Sequence, residues 1–204
     1  MELCKKKEEK CLTPYLQCAD IGTMYSYLAC KRDTHFFIGF IVGKWNDETC
    51  DEFYKMLASR LRFPTRKRKV TINTDGNKQN ITAIAKHFHT DAVRYAIRKK
   101  IKIGQKIVGV VSDIIFGNPD RSKIGITQID GFCSKLRERI SCFTRKARSF
   151  AKRKRGLEDR LEIFSVQHNF MEKKYGKTPA IREEITSKVW NWSGVLHERI
   201  SYLN

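Results

Sequence analysis

No stretch of this sequence approaches the roughly 20 consecutive apolar residues that a membrane-spanning helix needs. The longest apolar run, His35 to Gly43 (HFFIGFIVG), has the length of a strand. The opening MELCKKKEEK is charged and lacks the apolar centre of a secretory signal. Together these absences predict a cytoplasmic protein with no membrane partner. Cysteine is present seven times, at Cys4, Cys11, Cys18, Cys30, Cys50, Cys133 and Cys142, but nowhere as C-x-x-C. A zinc ribbon or finger needs close ligand pairs, because two ligands on one tight turn must reach the same tetrahedral ion. His87 and His89 flank Phe88, the pattern of a strand or helix end rather than of a metal clamp. Reduced thiols are therefore expected. Acid is scarce against base, 22 Asp+Glu to 41 Lys+Arg, a formal charge of +19. Such an excess selects a polyanion as partner, since each phosphate contact releases counterions. Charge alone goes no further, because a basic surface also serves solubility or a membrane surface.

What is present suffices for a packed core. Hydrophobic residues are 41% of the 204, with 12 Phe and 7 Tyr, which excludes intrinsic disorder and suits one domain with or without an appendage. Residues 1–13 read as a charged lead-in. Pro14 to Asp20, Met24 to Cys30 and His35 to Gly43 read as strands joined by short turns, an antiparallel meander. Asn46 to Thr49 supply capping residues and early acids for a helix carrying Phe53, Met56, Leu57 and Leu61 at helical spacing. Val70 to Thr74 (VTINT) is a β-branched strand stopping at Asp75-Gly76, and Asn80 to Phe88 returns to a helical pattern. Ile107 onward reads as strand, then loop, closed by the turn Gly117 to Asp120.

From Thr127 the pattern is helical. Phe132, Leu136, Ile140, Phe143, Ala147 and Phe150 fall on one face of a single helix. Lys152 to Arg155 with Gly156 predicts a break. Leu157, Leu161, Phe164, His168 and Met171 begin another amphipathic helix, and Thr178-Pro179 starts a further one. Trp190 and Trp192 are expected to pack rather than to stack on a base. The order of elements predicts an α/β fold of ribonuclease-H type, a mixed sheet flanked by helices, against the alternative of an unrelated α+β domain. Residues 14–156 would form that domain and residues 157–204 a helical C-terminal extension.

Three acids stand at segment ends: Asp20 closes the first strand, Asp75 closes VTINT, and Asp130 immediately precedes the long helix. Carboxylates from separated strand ends are what a two-metal phosphoryl-transfer site requires. Magnesium is hard, prefers oxygen ligands, and keeps waters for substrate phosphates. Two ions roughly 3.5–4 Å apart stabilise both the attacking and the leaving oxygen of an in-line displacement. An Asp-Gly turn and an N-capping aspartate account for Asp75 and Asp130 equally well without any metal.

In the C-terminal third, Ile115 to Pro119 (IFGNP), Thr127-Gln128-Ile129-Asp130, Leu136-Arg137, Thr144-Arg145-Lys146 and Ser149-Phe150-Ala151-Lys152 together resemble the motifs of the DDE transposases of bacterial and archaeal insertion sequences. The match continues through Gln167 to Phe170, Thr178-Pro179-Ala180 and Val189-Trp190. The family shows an F-G-N-P turn, a T-x-x-[IV]-E helix start, an R-[KL]-T-x-x-F-S-K run, then Y-N-F, T-P-A and V-W. Upstream, Ile41-Val42-Gly43 with Leu57 to Leu61 resembles its third strand and first helix, and Thr74-Asp75-Gly76 its T-D-G. The resemblance implies a ribonuclease-H-like catalytic domain that cuts double-stranded DNA at element ends and joins a 3′-hydroxyl to target DNA. It implies Mg²⁺ as the ion, with Mn²⁺ as substitute, and a homo-oligomer when active. Asp20, Asp75 and Asp130 would be the catalytic and metal-binding residues. Asp130 stands where the family has Glu. At the first acid two alignments remain open: one makes Asp20 the carboxylate, and the other sets Gly22 in its place. Nothing before residue 14 resembles the DNA-binding module such transposases often carry. A non-catalytic DNA-binding relic with a decayed site is the alternative.

The densest basic run lies beyond Asp130. Arg137, Arg145, Lys146, Arg148, Lys152, Arg153, Lys154 and Arg155 are expected to hold DNA phosphates beside the metal site. Arg66 to Lys69 and Arg98 to Lys106 are secondary candidates for the same contact or for an ordinary solvated face.

Overall fold

The computed structural model describes residues 24–104, 106–144, 151 and 153–198. The strand expected over 14–20, with Asp20 and Gly22, lies outside the described residues.

Two strands, β1 (Tyr25–Cys30) and β2 (Phe37–Gly43), pair antiparallel, from Tyr25 opposite Gly43 to Cys30 opposite Phe37. The register slips between Ala29 and Cys30, so β2 carries an extra residue there. Helix α1 (Asp47–Arg60) follows, its N-terminus capped by Asn46, whose side-chain oxygen accepts from the Thr49 amide at 3.1 Å. Strand β3 (Val70–Thr74), helix α2 (Gln79–His87) and strand β4 (Val93–Ile103) form a β-α-β unit. β3 and β4 run parallel, Val70 opposite Val93 and Thr74 opposite Ile97, as a helical crossover requires. Strand β5 (Lys106–Phe116) turns back antiparallel on β4. Among the described residues β1 pairs with β2 alone and β3 with β4 alone.

Helices α3 (Thr127–Arg139) and α4 (Lys154–Val166) come next, and α4 runs directly into a π-helical turn at Gln167–Met171. Two short helices, α5 (Pro179–Arg182) and α6 (Trp192–Glu198), complete the described chain. Thr178 caps α5 through the Ile181 amide at 3.3 Å with Pro179 in the first turn, as expected.

Strand alternation sends side chains to two cores. Met24, Phe37 and Val42 pack against Phe132 and Leu136 of α3 and Leu157, Leu161 and Phe164 of α4. On the opposite face Tyr27, Ile38 and Ile41 meet Phe53, Tyr54 and Leu57 of α1, Ile84 of α2, and Val93, Tyr95 and Ile97 of β4. Helices thus cover both faces, and the class is mixed α/β. Leu136 and Leu161 are fully shielded from water. Each contributes about 1.5–3 kcal/mol by burial.

Two sequence expectations change. The helix read from Thr127 to Phe150 ends at Arg139. Ile140 adopts extended dihedrals, and Ser141–Phe143 form a short 3-10 turn. Ile140, Cys142 and Phe143 nevertheless remain buried in the same core as Phe132 and Leu136, so the apolar spacing survives a change of helix type. Gly156 does not break the chain. It lies inside α4, whose first turn is the KRG segment. The region after His89, where only Ile107 onward read as strand, is a long hairpin of β4 and β5.

Candidate active site

The end of β3 places Asp75. Asn73 and Thr74 precede it, and Gly76 turns the chain with φ 86°, a conformation that L side chains rarely adopt. A Cβ on Gly76 would also lie 2.6 Å from Cγ of Lys99, whose stem crosses the turn. The exposed Asp75 carboxylate accepts from the Asn77 amide at 3.3 Å, an Asx turn. Beneath it, Thr74 and the buried Tyr95 share a hydroxyl hydrogen bond of 2.8 Å.

Asp130 lies in the first turn of α3 rather than before it. Its carboxylate is 2.7 Å from Lys100 Nζ on β4, and both side chains are close to half exposed. Cys133 lies one turn further along α3 from Asp130. Burial raises the Cys133 thiol pKa, Arg137 opposes that shift, and the charges of Asp130 and Asp75 both add to it. Cys30 of β1 faces the same place: burial pushes its thiol up to about 12, with Cys133 adding. Burial likewise pushes Tyr27 up to about 12, with Cys50, Asp47 and Asp75 contributing.

The fit to a divalent ion rests on this donor set. Two carboxylates suit a hard ion such as Mg²⁺, whereas the thiol of Cys133, held protonated, does not. Among the described residues no three His, Cys, Asp or Glu side chains gather closely enough to hold a metal ion. The third expected acid, Asp20, lies outside the described residues. Among the described residues four buried side-chain polar atoms have no hydrogen-bond partner: Ser26 Oγ, Tyr27 Oη, Asn73 Oδ1 and Arg137 Nε. They come from β1, β3 and α3.

The basic residues divide. Arg145, Lys146, Arg148 and Lys152 lie outside the described residues. Arg137 is half-buried with its Nε enclosed, so it is a packing residue as much as a surface cation. Lys154 lies 3.7 Å from Glu158. Arg155 and Lys154 line a groove beside β2 with Arg60, and Glu158, Asp159 and Glu162 line it too, so the groove is of mixed charge. Arg153 is exposed.

Two features had no reading in the sequence. One is Lys100 as partner of Asp130; its only signal was membership of the basic run Arg98 to Lys106. The other is the role of Gln167 to Phe170. Asn169, buried, accepts from the Phe37 amide and donates to the Phe37 carbonyl, both at 2.9 Å. His168 lies 2.9 Å from the His35 carbonyl through Nε2 and 2.8 Å from Lys135 Nζ through Nδ1. Nε2 therefore donates and Nδ1 accepts, the tautomer these partners require. Lys135 and Arg139 both pair with Glu172. This segment clamps the entry of β2. Trp190 stacks on Phe170 with centroids 4.3 Å apart, in line with the packing role expected of it.

The chain is thus an α/β protein with one candidate acid just past a strand end and another in the first turn of a helix. Comparison with known protein families, with curated proteins and with solved structures finds no match to it. Among the described residues no helix is long and apolar enough to cross a membrane.

Proposed function

We propose that this protein is a DDE-type insertion-sequence transposase that cleaves DNA and transfers strands in a metal-dependent reaction. The observation carrying this reading is that Asp75 stands just past the end of β3 and Asp130 in the first turn of α3, with adjacent residues of β4 touching both places: Lys99 crosses the Gly76 turn and Lys100 pairs with Asp130. A ribonuclease-H-like core is supported by an antiparallel pair, β1–β2, accompanied by the parallel β3–α2–β4 unit, with helices on both faces. Asp75 and Asp130, joined by Asp20, would hold Mg²⁺ or Mn²⁺. A bound ion of this kind supplies positive charge that favours the attacking and departing oxygens of phosphoryl transfer. The chain's own part is to hold the acids. Gly76 sets the direction of Asp75, α3 presents Asp130 from its N-terminal turn, and the packed tyrosines below keep β3 in place. Double-stranded DNA, both element ends and target, is the partner matched by the +19 charge. The active form would be a homo-oligomer in the cytoplasm.

The second reading, a DNA-binding relic without chemistry, is favoured by the Lys100–Asp130 pair, which places an ammonium where an ion would sit. Strand-cleavage and strand-transfer assays with Mg²⁺ or Mn²⁺ separate the two. Under the enzyme reading, Asp75→Ala and Asp130→Ala abolish cleavage and leave DNA binding in place. If wild type and Asp75→Ala behave alike in cleavage while both bind DNA, the relic reading stands.

A further inference from the structure

The hairpin of β4 and β5 is longer than the sheet it belongs to. β3 pairs with β4 only as far as Ile97, so from Arg98 to the turn the hairpin is a two-stranded ribbon. The six residues Arg98 to Ile103 extend it by about 20 Å at the strand rise. Ile103 pairs with Lys106 across a two-residue turn. Gly104 enters that turn at φ 61° with open space around it. The tip is apolar and in solvent: Ile103 is 72% exposed, Ile107 56% and Val108 54%. Ile101, Val110 and Val111 are exposed behind it. A two-stranded ribbon with exposed β-branched side chains is marginal alone and prone to edge pairing, so it calls for a partner.

Charge selects that partner. Arg98, Lys99, Lys100, Lys102 and Lys106 lie on the ribbon, and no acid occurs between Asp91 and Asp113. A second copy would set like charge against like charge, whereas a polyanion complements the ribbon. The minor groove is the site that fits, with the basic stem on the flanking phosphates and the apolar tip at the base steps. Basic arms with apolar tips act on DNA by pressing side chains between base steps and kinking the duplex. At its root Lys99 crosses the Gly76 turn and Lys100 meets Asp130, so duplex held by the ribbon lies beside the candidate acids.

We propose that the β4–β5 ribbon is a DNA-bending arm, its lysines on phosphates and Ile103 and Ile107 wedged into the duplex. The partner rests on the DNA reading above, but the test needs no catalysis. The full chain is mixed, in chelator, with a 30-base-pair duplex carrying a fluorophore at each end. Anisotropy reads affinity across a salt series, and energy transfer reads bending. Circular dichroism melting confirms that each variant is folded.

Wild type is expected to raise energy transfer on binding. The Ile103→Ser/Ile107→Ser variant should bind within about tenfold of wild type, with energy transfer returned to the free-duplex value. The Lys102→Gln/Lys106→Gln variant should lower the slope of log K against log salt by about 2, at roughly 0.9 per phosphate contact. The proposal is overturned if the tip variant bends DNA as wild type does. It is also overturned if the tip variant alters the oligomeric state in size-exclusion chromatography while DNA binding and bending are unchanged, because a second copy then covers the ribbon. Absence of cleavage by wild type when Mg²⁺ is supplied, with its bending and the tip variant's loss of bending unchanged, would sink the enzyme reading alone. Loss of bending by the tip variant supports the arm, whatever cleavage shows.

Discussion

Lys100 Nζ lies 2.7 Å from an Asp130 carboxylate oxygen, joining the ribbon end of β4 to the first turn of α3. Both side chains are close to half exposed, so the pair is screened and contributes at most about 1 kcal/mol to stability. Its larger consequence is functional. Any cation recruited to Asp130 must first displace the ammonium.

Replacing Lys100 with Gln should therefore change folding stability by less than about 1 kcal/mol. Under the enzyme reading it should also tighten Mn²⁺ binding severalfold, as seen by titration calorimetry on the full chain. A relic would show the small stability change with no gain in metal binding.

Gly76 carries two constraints at once, a left-handed φ of 86° and the Lys99 stem where a Cβ would sit. Gly76→Ala should destabilise the protein by about 1–3 kcal/mol. Adding Lys99→Ala should recover the steric part and leave the backbone part. Denaturant unfolding of the two single variants and the double variant measures that split.

Asn169 satisfies both backbone groups of Phe37 from a buried position. Asn169→Leu fills a similar space but orphans a buried amide and carbonyl, at about 1–3 kcal/mol each. The expected loss of several kcal/mol should appear in the unfolding midpoint, and β2 should become the strand least protected in hydrogen exchange.

His168 gives the fold an acid limit. Burial holds its pKa down to about 4 against an ordinary 6.5, with the His35 carbonyl opposing and Lys135 reinforcing the shift. Above pH 6.5 the ring is neutral in folded and unfolded chains alike, and its titration costs nothing. As pH falls from 6.5 toward 4 only the unfolded chain takes up the proton, so stability drops, by about 3 kcal/mol over that interval. Urea unfolding measured across these pH values should show the slope, and His168→Gln should flatten it.

Much of the local structure follows from the chain itself. The Asn46 cap, the Thr178-Pro179 start, the β-branched VTINT strand and the turn at Asp75-Gly76 are each set by side-chain and backbone chemistry spanning a few residues. Alternation alone would set Phe37 and Val42 on opposite faces of β2; the extra residue in that strand puts both in one core. The apolar spacing after Thr127 correctly marks Phe132, Leu136, Ile140 and Phe143 as buried, while Ala147 and Phe150 lie outside the described residues. The spacing does not mark that the helix stops at Arg139, because an extended residue and a 3-10 turn bury Ile140 and Phe143 as well as a helix would.

Tertiary packing decides the rest. Sequence could nominate Asp75 and Asp130 as strand-end and helix-start acids. Only the course of β4 carries Lys99 over the Gly76 turn beside Asp75 and Lys100 to Asp130. Asn169 reaches Phe37 because α4 packs across β2 and the π turn rotates the chain end toward it. These contacts join residues 30 to 132 positions apart. No periodicity within a single element encodes them, since they depend on where separate elements stop and how their buried faces fit.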